Sequence, residues 1–322
     1  MQLNRISTKV GGHVTLLFSI QSNNEDLDQQ GSRGAGLCVE KGVEVSTTIM
    51  NGNGSIKIIS NEKNLSSKLY HLVIEQIGEK YKIVYEYDWT FEIKTDLPFG
   101  QGFGCSAAGA LGAIISVLKL INKTEDIYQN SLTMAHRIER KMSSGLGDVV
   151  ALGAGGVELR LEPGLPFPPN NGKILSWNEC FPVLLCWVKN QEKHTSEYID
   201  NEEWKIKISS AGERCISKLN QKVWDKFSWR NLLIQADLFC ENSGMLNDSN
   251  RKNIITTIEK ILKEKEIDLF WNTRLCMLGS SAVIVPSNLD NYDEKDLEEV
   301  LEKIKEIGLN GCITNINSNP II

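Results

Sequence analysis

The sequence has no surplus of basic residues: 35 lysines and arginines stand against 41 aspartates and glutamates, for a net charge of −6. That argues against a general nucleic-acid binder, which carries a basic excess. No apolar run approaches the roughly 18 residues of a membrane span, so no membrane partner is expected. The opening stretch, MQLNRISTKVGGHVTLLFSIQSNNED, lacks the small-residue cleavage site of a signal peptide and reads as a strand. Eight cysteines (Cys38, Cys105, Cys180, Cys186, Cys215, Cys240, Cys276, Cys312) are scattered without one C-x-x-C pair. Neither a zinc ribbon nor a thioredoxin-type redox site is indicated, and free thiols in a reducing cytoplasm are expected. The sequons at Asn53, Asn64, Asn122 and Asn247 read as chance matches in an Asn-rich chain. There are no internal repeats and no low-complexity tails.

What is present is enough for two domains. The chain has 322 residues and is 41% hydrophobic, adequate for buried cores at this length. Alternation and β-branched residues predict strands at 13–20, 36–50, 54–59 and 81–95. Helical spacing predicts a helix over 64–79 with Leu69, Leu72, Val73 and Ile77 on one face, then helices over 105–120 and 125–142. A Pro/Gly/Asn stretch, 163–172, reads as a domain boundary, giving domains 1–165 and 166–322. Beyond it FPVLLCWVK reads as a strand. Helices are expected at 202–220, 230–242, 251–265 and 294–307, and strands at 275–286 and 309–317. The irregular mixture favours an α+β fold over a doubly wound sheet.

The segment DLPFGQGFGCSAAGALGAIISVLKL, Asp96 to Leu120, carries the chemistry. Glycine inside a helix costs roughly 0.5–1 kcal/mol against alanine, so Gly100, Gly102 and Gly104 belong to a loop that opens the helix. Such a loop is a ready anion site, because backbone N–H groups and the helix dipole point at one place. A Walker P-loop would need a lysine that the loop lacks. A dinucleotide fingerprint needs an acid at the end of a second strand, whereas Glu125 and Asp126 sit at a helix start. A hydrolase elbow around Ser106 would need a later histidine, and only His136 and His194 lie downstream.

The whole pattern resembles the GHMP kinases. LPFGQGFGCSAAGALGA is similar to their second signature, KVGGHVTLLF to the first, and ERKMSSGLGDVVALGAGG to the segment bearing their catalytic aspartate. GSRGAGLCVEKGVEV, GFGCSAAGALG, GLGDVVALGAGGVELRLEPGLP and CMLGSSAVIV together resemble one branch, the archaeal pantoate kinases. The third signature is reduced to Met277–Ala282, MLGSSA. The resemblance implies an N-terminal domain like ribosomal S5 domain 2, a ferredoxin-like C-terminal domain, and ATP with Mg²⁺. It further implies phosphorylation of pantoate to 4-phosphopantoate in coenzyme A biosynthesis, and a cytoplasmic homodimer. Mevalonate or homoserine as acceptor, or a non-catalytic nucleotide-binding regulator on the same fold, are the alternatives.

By the same resemblance Gly100, Gly102, Phe103, Gly104, Cys105, Ser106, Ala107 and Ala108 hold the ATP phosphates, and Ser106 and Glu139 hold Mg²⁺. Cys105 stands where relatives often have serine and is given no chemistry of its own. Glu139 otherwise reads as a surface charge paired with Arg137 or Arg140. Asp148, an isolated carboxylate in glycine-rich apolar surroundings, would face the substrate hydroxyl as base or electrostatic guide; its other reading is a helix cap. His13 takes a position where relatives have lysine or arginine, and would orient the phosphate or the substrate unless it is a satisfied core residue. A carboxylated substrate needs a guanidinium. Arg33 and Arg160 are the candidates, with Ser32 as a hydroxyl contact and a structural ion pair as the competing role for either arginine. His71 and His194 read as surface residues.

Overall fold

The computed structural model describes residues 4–62, 65–189, 198, 200–220, 223–318 and 321; Asn64 and His194 lie outside them. Two strands, β1 (Arg5–Gln21) and β2 (Gly31–Asn51), form one long antiparallel hairpin paired from Arg5↔Thr48 to Gln21↔Gly31. Sequence reading expects shorter strands because glycines interrupt the pattern. Here one of those interruptions is a bulge, a register shift at Gly11/Gly12, and the ladder runs through it.

The strand β3 (Ile56–Ser60) lies parallel to β4 (Tyr87–Thr95), and β4 pairs with the second half of β2. β5 (Val157–Glu162) pairs with Gly34–Leu37 of β2, and β6 (Lys173–Trp177) with β5. The expected strand over 81–95 is therefore only half strand. Lys82–Glu86 forms a 3₁₀ turn, fixed where the Trp89 indole N–H donates to the Val84 carbonyl at 2.8 Å.

Four helices belong to this half: α1 (Ser67–Lys80), α2 (Cys105–Leu120), α3 (Ile127–Lys141) and α4 (Asp148–Ala154). In α2 every residue except Ser106 and Lys119 is buried, the mark of an interior helix that is apolar all round. It packs across β1 and β2. Each fully buried Ile or Leu along it contributes about 1.5–3 kcal/mol, so the start of α2 is rigidly placed.

The second half contains β7 (Pro182–Trp187), α5 (Glu202–Leu219), α6 (Trp229–Ser243), α7 (Ser249–Glu264), β8 (Trp271–Leu275), β9 (Ser281–Pro286), α8 (Lys295–Glu306) and β10 (Asn310–Asn315). Its antiparallel sheet has the order β10-β7-β9-β8, the ferredoxin-like arrangement. The single strand expected over 275–286 is two strands. Leu278, at φ +73°, and Gly279 turn the chain between them.

The expected boundary at 165 moves. β6 lies after the Pro-rich stretch yet completes the first sheet, so the change of sheet falls after Trp177. The halves also share one apolar core, which runs from Val14 and Leu37 to Trp229, Phe239 and Leu275. α5 grips the end of β1: the Ile20 N–H donates to Ser209 Oγ at 3.1 Å, and Ser19 Oγ donates to Glu213 Oε1 at 2.6 Å.

Candidate active site

The glycine loop precedes α2 as expected. Gly100, Gly102 and Gly104 take φ of 71°, 76° and 65°, left-handed values that favour glycine. At Gly102 space is closed as well, since a Cβ there would stand 2.5 Å from the Met277 carbonyl oxygen. The reduced third signature thus backs the phosphate loop. Ser281 Oγ donates to the Gln101 carbonyl, and the Met277 N–H donates to the Thr15 carbonyl at 3.0 Å. Arg251 from α7 holds this backing in place, with Nε on the Gly279 carbonyl (2.9 Å) and Nη2 on the Leu278 carbonyl (3.0 Å).

One cleft is lined by Gly100, Gly102, Phe103, Gly104, Cys105 and Ser106 together with Glu139, Gly145, Gly147, Asp148, Thr15, Phe18 and Ser32. The phosphate loop, the acids and Ser32 therefore meet in one place. Ala107 and Ala108 are fully buried and do not line it. The Ala108 N–H already donates to the Gly104 carbonyl at 3.0 Å, which corrects its expected role as a phosphate donor. Burial pushes the Cys105 thiol far up, so it stays neutral beside the loop.

Ser106 Oγ donates to Glu139 Oε1 at 2.6 Å, and Glu139 Oε2 accepts the Gly145 N–H at 2.8 Å. Glu139 pairs with neither neighbouring arginine: Arg137 takes Asp28, and Arg140 donates to the Ser144 and Gly145 carbonyls. Glu139 is pushed up to about 6. Burial is the main cause, the Ser106 hydrogen bond opposes it and the Asp148 charge adds to it. A Cβ on Gly145 would stand 2.2 Å from Asp148 Oδ2 and 2.7 Å from Glu139 Oε2, so the two carboxylates crowd one spot. The Ser106 hydroxyl and the Glu139 carboxylate are hard oxygen donors, and the pair fits Mg²⁺, which keeps several of its waters. Among the described residues no cluster of three or more His, Cys, Asp or Glu side chains could hold a metal ion.

Asp148 opens α4 without capping it. Its Oδ1 instead lies 2.6 Å from His13 Nδ1. Burial would raise its pKa, but the hydrogen bond to His13 and the His13 charge hold it below the usual carboxylate value. His13 is fully buried and its Nε2 lies 3.1 Å from Glu158 Oε1. Both ring nitrogens are engaged by carboxylates and the ring does not line the cleft, so the expected direct contact with phosphate or substrate is replaced by a contact to Asp148.

The two arginine candidates separate. Arg33 donates Nε to the Leu161 carbonyl at 2.7 Å and pairs with Glu213; it lies off the cleft, and its partners make it a link between β2 and α5. Arg160 is buried and pairs with Glu158, while its Nε and Nη2 have no hydrogen-bond partner among the described residues. It stands directly behind the cleft wall, since a Cβ on Gly147 would be 2.5 Å from both Arg160 Nε and Ser32 Oγ. Sequence reading missed Glu158, Arg251, Thr15 and Phe18, whose partners are distant in the chain. It weighed His136 only as a histidine downstream of Ser106. His136 is buried, with Nε2 3.0 Å from the Leu27 carbonyl oxygen, and burial with the Arg140 charge pushes it down to about 4.

A nucleotide loop opening a buried helix, next to paired acids, defines a small-molecule kinase site. The family profile "GHMP kinases N terminal domain" matches residues 64–156, and the chain belongs to the GHMP kinases. It is 31% identical to the pantoate kinase of Methanocaldococcus jannaschii over 238 residues, 74% of this chain and 80% of that protein. It is likewise 31% identical to the pantoate kinase of Methanospirillum hungatei over 266 residues, 81% and 83% of the two chains. A solved structure described as a phosphotransferase related to the CoA biosynthesis pathway superposes with a TM-score of 0.75 at 23% identity, covering 98% of this chain and 97% of that one.

Proposed function

We propose that the chain transfers the γ-phosphoryl group of ATP to the 4-hydroxyl of pantoate, giving 4-phosphopantoate and ADP. The observation that carries this reading is Arg160: a buried guanidinium whose donor nitrogens Nε and Nη2 have no partner among the described residues, behind Ser32 and Gly147 and beside Asp148. An unpaired buried donor is costly, and a carboxylate gripped by the fork removes the cost. Mevalonate also carries a carboxylate. What supports pantoate is the likeness to pantoate kinases over four fifths of their length.

In this reading the loop residues Gly100–Ser106 wrap the phosphates, with N–H groups at the start of α2 turned toward them. Ser106 and Glu139 would hold Mg²⁺, which when bound neutralises charge on the phosphates. Asp148, kept ionised by His13, accepts the proton of the attacking hydroxyl or guides it electrostatically. Ser32 on the cleft wall, with the positive charge of Arg160 behind it, fixes the other end of the alcohol, so that the reacting oxygens are held in line. The reading also includes a cytoplasmic homodimer, which sedimentation would check. No helix among the described residues is long and apolar enough to cross a membrane.

The deciding experiment is ADP release from Mg·ATP with pantoate, mevalonate, homoserine and no acceptor in turn. Pantoate-dependent release alone is expected. Release with another alcohol would keep the kinase and replace the substrate. Tight ATP binding with no release on any acceptor would favour a regulator.

A further inference from the structure

β5 carries a carboxylate where an interior strand position would take an apolar side chain. Glu158 lies between Val157 and Leu159 and is fully buried. A buried carboxylate costs several kcal/mol unless partners hold it. Its Oε1 meets both His13 Nε2, at 3.1 Å, and Arg160 Nη1, while Oε2 has no partner among the described residues. The opposite edge of the imidazole meets Asp148 Oδ1 at 2.6 Å. An ionised carboxylate only accepts hydrogen bonds, so a ring held between two ionised carboxylates would donate from both nitrogens, as an imidazolium. Space for this stack is left by Gly36, where a Cβ would stand 2.5 Å from His13 Nε2 and 2.9 Å from Glu158 Oε1.

We propose that Glu158 is a positioning residue of the kinase. It locks His13 as a doubly protonated cation against Asp148 and orients Arg160 through the same oxygen. Arg160, Glu158 and His13, all buried, then form with the half-buried Asp148 one chain of alternating charge. The chain joins the candidate carboxylate clamp to the candidate base without any member but Asp148 lining the cleft. The groups facing the ring are Asp148 from α4, Glu158 and Arg160 from β5, and Cys38 from β2, the register partner of His13. Arg140 from α3 acts on Asp148. The Cys38 thiol is pushed far up, by burial first and by Glu158 next, and stays neutral. Burial alone would lower the pKa of His13; the hydrogen bonds and charges of the two carboxylates outweigh it, and the balance is upward.

The inference rests on the kinase reading, but its first test needs no turnover. Nitrogen-15 NMR of the native protein, with the His13 signals assigned by His13→Gln, should show both ring nitrogens still protonated at a pH above the free imidazole value of roughly 6.5. A neutral, singly protonated ring there overturns the proposal. Glu158→Gln keeps the shape and an acceptor but loses the charge. It should lower turnover at least about 10-fold, leave the KM for ATP within about twofold, and move the basic limb of the pH–rate profile down by about one unit. His13→Lys in the Glu158→Gln background should restore turnover at high pH, because lysine stays charged. An unmoved basic limb in Glu158→Gln, with only a lower melting temperature, makes Glu158 structural and sinks the proposal. A native enzyme inactive on pantoate sinks the substrate reading instead, and the NMR result still decides this one.

Discussion

The Ser106 hydroxyl donates a 2.6 Å hydrogen bond to Glu139, tying the first turn of α2 to the last turn of α3. The carboxylate at the receiving end is buried and pushed up from 4.5 to about 6. A raised folded-state pKa means that this group's stabilising contribution is complete below about 4.5 and is lost as pH rises to about 6. Glu139→Gln keeps an acceptor for Ser106 and drops the charge. It should be more stable than the native chain at pH 7 by up to about 2 kcal/mol, with the gap closing near pH 4, while turnover falls steeply. Urea unfolding at the two pH values checks this. A variant less stable at pH 7 would mean that the carboxylate is held favourably rather than under stress.

Ser106→Ala removes one oxygen donor from the same pair. The Mg²⁺ concentration for half-maximal rate should rise about 10-fold, the worth of one good contact of about 1.4 kcal/mol. Titration of Mg²⁺ at saturating ATP reads it directly. An unchanged midpoint would leave the serine as a brace for Glu139 alone.

Asp148→Asn should cut turnover by roughly 10²–10⁴-fold, the usual worth of a positioned base, while ATP still binds. Single-turnover rates and equilibrium nucleotide binding separate the two effects. Near-normal turnover would remove Asp148 from the mechanism.

Much of this site was legible in the sequence. The bounds expected for α2, 105–120, are those of the structure, because a glycine stop followed by an unbroken apolar run leaves little choice. The pairing of Ser106 with Glu139 was reachable only through resemblance, since the two lie on different helices. Glu158 was invisible for a physical reason. Its partner His13 is 145 positions away, and a lone Glu in an alternating strand reads as solvent-facing. Arg33 and Arg160 looked alike in sequence, and their partners in the fold, Glu213 on α5 for Arg33 and Glu158 for Arg160, tell them apart. The Pro-rich stretch misled because the same composition that ends a domain also makes the loop between two paired strands, β5 and β6.

Arg160→Lys retains a charge for Glu158 but loses the two-pronged edge. The KM for pantoate should rise about 10- to 100-fold, as expected for losing a charge-assisted pair worth about 1.5–3 kcal/mol, with the KM for ATP unchanged. Equal increases for both substrates would point to a collapsed site.

Gly102→Ala places a methyl group against the Met277 carbonyl in a left-handed conformation costing about 1–2 kcal/mol. ATP affinity and melting temperature should fall together. A loss of one without the other would show that the loop's shape and its binding are separable.

That contact between Gly102 and Met277 spans 175 positions of chain, from the first sheet's loop to the turn between β8 and β9. With β6 closing the first sheet and α5 clasping β1, neither half is a finished object by itself. A protease nick within 163–172 should yield two fragments that travel as one particle and part only in denaturant. Shortening the gene from its 3′ end would erase the nucleotide loop's shape long before reaching the codons that spell it.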